Sequence, residues 1–88
     1  MMINLVGFES AFSVFANETG EPLAARIAAA KELCQGLATL PESKAVGPVR
    51  TAMIKCEMAS RFSRTHAQAT DWFCDVSRLV YLADLRIC

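Results

Sequence analysis

Histidine, tryptophan and tyrosine each occur once in these 88 residues, proline three times and glycine four times. Each scarcity closes off a class of chemistry. A single histidine, His66, cannot furnish a mixed Cys/His zinc site, and Cys34, Cys56, Cys74 and Cys88 form no C-x-x-C pair. Gly7, Gly20, Gly36 and Gly47 are isolated, so no phosphate-cradling loop is present. No acid spacing matches an EF-hand loop, and nothing near Ser60, Ser63 or His66 resembles a nucleophile elbow or a triad signature. Catalytic, cofactor and metal residues are therefore none, and the expectation is a non-enzyme with no small-molecule substrate. Long apolar runs are missing as well. The longest charge-free stretch, Leu33–Pro41, falls far below a membrane span, and no secretory leader is legible. A reducing cytoplasm is the expected compartment, with the thiols serving as small apolar side chains.

What is abundant is apolar surface. Hydrophobic residues make up 53% and charged residues 20%, which excludes disorder and leaves more apolar area than a small monomer readily hides. Residues 1–88 are expected to form a single domain, too short for two cores. The net charge of zero conceals a pattern. Residues 1–43 carry two bases against five acids, residues 44–66 five bases against one acid, and residues 67–88 two bases against three acids. A basic segment thus lies between two acidic ones.

The stretch Gly47–His66 organises the chain. Pro48 suits a first helical turn, and neither proline nor glycine follows it. At about 100° per residue, Val49, Met53, Cys56 and Ser60 share one face with Ala52 and Ala59 beside them. Ile54, Met58 and Phe62 form a second apolar face nearly opposite. Arg50, Arg61 and Arg64 lie on one flank between the two, and Lys55 on the other. A helix apolar on two sides needs neighbours on two sides.

Around this helix the other segments fall into place. Phe8, Phe12 and Phe15 recur at helical spacing, although Phe12–Phe15 before the turn-like Asn17–Gly20 also reads as a short strand, one whose partner would be its copy in a second chain. A short helix or an extended arm is the preferred reading. Leu23, Ile27, Ala30, Cys34, Leu37 and Leu40 mark a helix over 22–40, with Pro22 near its start and Pro41 at its end. The central helix covers 48–64. One unbroken rod onward to Cys88 is the alternative to a break between Ser63 and Thr70, where Thr65–Gln68 fits a capping box. A last helix over 70–87 follows, with Trp72, Val76, Leu79, Val80, Ala83 and Ile87 on one side and a weaker apolar patch at Leu82 and Leu85, beside Arg78 and Tyr81.

The runs AFSVFANETGEPLAARIAAAKEL and KCEMASRF resemble a small proteobacterial domain family of unknown function, whose members tend to read F-x-V, then an Ala/Leu-rich helix, then an E-M-A element. The resemblance covers about half the chain. It implies a compact helical domain and no activity.

The expected fold is all-α: a small antiparallel bundle of three main helices with a short N-terminal helix or extended arm. The expected function is a non-enzymatic protein-interaction module, a small regulator or inhibitor that binds a protein partner and self-associates as a homodimer. Its interface is expected at Ile54, Met58 and Phe62, with Arg50, Lys55, Arg61 and Arg64 around them. The alternative is a nucleic-acid-binding regulator whose basic central helix contacts phosphates.

Overall fold

The computed structural model describes residues 3–4, 9–40, 47–82 and 85–86. Helix α1 spans Glu9–Ala16, α2 Leu23–Ala38, α3 Gly47–Phe62 and α4 His66–Leu82. The fold is all-α, as expected. A two-residue strand β1 (Ile3–Asn4) pairs in parallel with a two-residue strand β2 (Leu85–Arg86), in the register Ile3 to Leu85 and Asn4 to Arg86. The one strand pairing described therefore lies within the chain.

The Phe12–Phe15 run is helical, not a strand. Helical spacing puts Phe12 and Phe15 on one face, where both rings meet Phe73 of α4 edge-on at centroid distances of 5.1 and 5.3 Å. A strand would have sent these residues in different directions. Asn17 then ends α1 in the left-handed region at φ 64°. Its N–H donates to Val14 O and that of Glu18 to Ser13 O, the paired bonds of a Schellman motif. The Asn17 side chain accepts the Glu21 N–H at 2.7 Å, and Gly20 at φ 73° completes the turn.

Pro22 caps α2 from just outside, and its carbonyl accepts from Ala25 and Arg26. The helix closes at Thr39, whose hydroxyl and N–H both donate to Gly36 O. Its buried face is Arg26, Ala29, Ala30, Leu33, Gly36 and Leu37. This corrects the stripe expected from the sequence. Ala30 and Leu37 belong to it, but Leu23, Ile27 and Cys34 are only half-buried. The helix is rotated so that an arginine faces inward.

Helix α3 buries Val49, Ala52, Cys56 and Ala59. It packs on α2 and on α4, while α1 packs chiefly on α2. Alanines on both sides of the α2–α3 contact, Ala29 and Ala30 against Ala52 and Ala59, keep the side-chain layer between them thin. The break after α3 falls at 63–65, earlier than Thr70, and α4 starts four residues before its expected position. Thr65 Oγ1 accepts the Gln68 N–H, and Gln68 Oε1 accepts the Arg64 N–H at 2.7 Å. The side chain thus reaches one residue beyond the usual capping-box partner. Helix α4 ends at Leu82, not at residue 87, because the chain switches to the β1–β2 pairing. It buries Ala69, Val76 and Val80, with Trp72, Phe73 and Leu79 packed at the edge of the core. Ala83 and Ile87, expected on the same stripe, lie outside the described residues.

Candidate functional site

Both apolar faces of α3 are present, and only one is covered. Val49 is 2% exposed and Cys56 is fully enclosed, whereas Ile54 is 52%, Met58 36% and Phe62 55% exposed. The exposed three follow one another at four-residue steps and form a ridge along the outside of α3. Phe62 also borders a shallow recess of about 400 Å³ shared with Trp72, Asp71 and Asp75 of α4. Tyr81 and Leu82, at the far end of α4, form a second exposed apolar patch.

The structure divides the cations around this ridge between two sides. Lys55 turns to α4, where Nζ lies 3.2 Å from Asp75 Oδ2 and 5.5 Å from the Trp72 ring centroid. Arg61 pairs with Glu57 one turn away at 2.9 Å. Arg50 and Arg64 are exposed and make no ion pair among the described residues. On the α2 side, a groove of about 600 Å³ runs between α2 and α3 with Arg61 and Lys31 at its border. A smaller hollow of about 370 Å³ beyond it is bordered by Arg50 and Ile54.

Sequence reasoning missed Arg26. Its side chain is fully buried and joins three segments. Nε donates to Phe15 O at 3.1 Å, Nη1 to His66 O and His66 Nδ1 at 3.1 Å each, and Nη2 to Thr70 Oγ1 at 2.9 Å. Arginine has only donors, so His66 Nδ1 must be the acceptor and the ring proton sits on Nε2. No carboxylate lies within ion-pair reach among the described residues. Burial accordingly pulls the guanidinium below its ordinary value. One signal was available: Arg26 shares a 3–4 spacing with Ala29, Ala30 and Leu33. A lone charge on an alanine-rich helix more often faces water, which hid it.

The thiols differ in environment. Burial first, then the neighbouring Cys34, pushes Cys56 up to about 12. Cys34, half-buried in the α2–α3 groove, is raised by burial and then by Glu57. Cys74 is exposed on α4. Among the described residues, no three His, Cys, Asp or Glu side chains converge as metal ligands. No described helix is long and apolar enough to cross a membrane.

No protein-family model matches the chain, and neither a curated protein nor a solved structure matches it. The resemblance to a small helical family rests on its own residues alone.

Proposed function

We propose that this chain is a non-enzymatic protein-interaction module, a small regulator or inhibitor that binds a protein partner and self-associates through the outer face of α3. In this reading α2, α3 and α4 form an antiparallel bundle, and the module works in the cytoplasm. The carrying observation is the Ile54–Met58–Phe62 ridge, apolar and exposed on the helix whose opposite face fills the core. Leaving three large side chains in water forfeits several kcal/mol of burial that a partner recovers, about 1.5–3 kcal/mol for each side chain fully covered. Arg50 and Arg61 border the ridge on one flank and Lys55 on the other, supplying a polar rim.

The test is sedimentation velocity with circular dichroism on the double variant Met58→Glu, Phe62→Glu. The wild type is expected to associate and the variant to sediment as a folded monomer. A variant that unfolds would make these residues structural and remove the reading.

A second reading, nucleic-acid binding, draws on the exposed Arg50 and Arg64. It has less support, because Lys55 and Arg61 are engaged by Asp75 and Glu57. A mobility shift at low salt distinguishes the two.

A further inference from the structure

Helix α2, like α3, is apolar on two sides. Its inward face holds Arg26, Ala29, Leu33 and Leu37. Its other face presents Ala24, Ile27 and Ala28 to the groove along the α2–α3 seam, with Met53 opposite them on α3. Ala24 and Ala28 are exposed although nothing about them is polar, and their small size hollows the groove. Met53 also borders the second hollow, formed with Leu37, Ala38 and Ile54, so the two hollows lie on either side of one methionine. From Ala24 to Ala38 the two hollows together flank about 21 Å of α2, roughly four turns.

The charges along its border are unequal. Lys31 and Arg61 flank the first part and Arg50 the second; among the described residues the one carboxylate on the border is Glu57, which is paired to Arg61 and leaves Lys31 and Arg50 without an ion pair there. Two apolar hollows in succession along α2, with a net positive rim among the described residues, suit one kind of occupant. We infer that the α2–α3 seam is a docking groove for an acidic amphipathic helix of a partner protein. Its apolar residues would lie over Ile27, Ala28 and Met53, and its carboxylates would face Lys31 and Arg50. Methionine at the centre allows the floor to adapt to different side chains. A second copy of this chain is a poorer occupant if it brings its own basic α3 border, since like charges would then face each other. The inference rests on the interaction-module reading and places the partner in the seam and the second copy on the ridge, two adjoining surfaces that meet at Ile54.

Two synthetic helices of about 16 residues test it, sharing one leucine/alanine face and carrying either glutamate or lysine on the other. Binding is read by anisotropy of the labelled peptides, and position by alkylation of Cys34, which lies in the groove, relative to Cys74 on α4. The acidic helix is expected to bind at least about tenfold more tightly than the basic one, to weaken as salt rises, and to slow labelling of Cys34 but not of Cys74. Ala28→Trp, a change at an exposed position that fills the groove, should lose this binding, whereas Met58→Glu should keep it. Equal binding of both helices overturns the acidic preference, and binding that leaves Cys34 labelling unchanged overturns the site. If neither helix binds, or if Ala28→Trp instead abolishes self-association, the inference fails. The interaction-module reading survives in those cases as long as Met58→Glu, Phe62→Glu still converts an associating chain to a monomer.

Discussion

Arg26 and His66, forty residues apart in sequence, are joined twice: one guanidinium nitrogen donates to both the ring Nδ1 and the main-chain oxygen of the histidine. With Phe15 O and Thr70 Oγ1 as further acceptors, one side chain fastens the end of α1 and the first turn of α4 to α2. Replacing it orphans several acceptors at once. Arg26→Met is expected to cost about 2–4 kcal/mol in urea unfolding, from the buried Phe15 O left without its donor and from the lost link to the part-buried acceptors of His66 and Thr70. Arg26→Lys should recover little, since a single ammonium cannot reach acceptors on both α1 and α4 as the guanidinium fork does. A loss below about 1 kcal/mol for Arg26→Met would show that the clasp is dispensable.

The aromatic contact between α1 and α4 should be comparably sensitive. Phe15 is 1% exposed and meets Phe73 edge-on. Phe15→Ala is expected to destabilise the fold by about 3–5 kcal/mol through the cavity it leaves. Phe73→Leu, which retains volume while losing both ring contacts, should cost less. Thermal melts of the two variants give the comparison.

Cys56 predicts a pH dependence of stability. Its folded value of about 12 lies above the ordinary 9.0, so above pH 9 the unfolded chain releases a proton that the folded chain keeps. The unfolded state then binds fewer protons, and stability falls as pH rises between 9 and 12, with a slope approaching about 1.4 kcal/mol per pH unit. Cys56→Ala should flatten that slope, at some cost in packing. Alkylation at mildly alkaline pH, mapped by mass spectrometry, should modify Cys74 readily and leave Cys56 unreacted until the chain unfolds.

The Lys55–Asp75 pair should matter little by comparison. Both side chains remain substantially exposed, at 32% and 43%, and water screens the attraction. Asp75→Asn is expected to change stability by less than about 1 kcal/mol. A larger loss would mean that the Lys55 position over Trp72 also depends on the carboxylate.

Much of this architecture was readable locally. Val49 and Cys56 marked the inward side of α3, although the flanking Ala52 and Ala59 are buried there in place of Met53 and Ser60, which are half-buried, and Ile54, Met58 and Phe62 were legible as a separate face. Thr65 and Gln68 signalled a break before the last helix because a capping box involves residues only three apart, although that helix was expected from residue 70 and begins at His66. The orientation of α2 was not readable. Alanine is compatible with either environment, so Ala24, Ala25, Ala28, Ala29 and Ala30 offered several stripes of nearly equal apolar character. The end of α4 was missed for a different reason: the Leu82–Arg86 stretch retains helical periodicity, and its exit depends on pairing with Ile3–Asn4 at the other end of the chain.

By itself, the sequence determined the helical character of α2, α3 and α4 and which of their positions are apolar, since those follow from interactions within a turn or two. Only the tertiary structure decided which apolar face of a two-faced helix is covered, and that Arg26 turns inward. Its acceptors belong to residues 11, 40 and 44 positions away, and a buried cation is tolerable only once chain closure has brought those oxygens and the imidazole nitrogen around it.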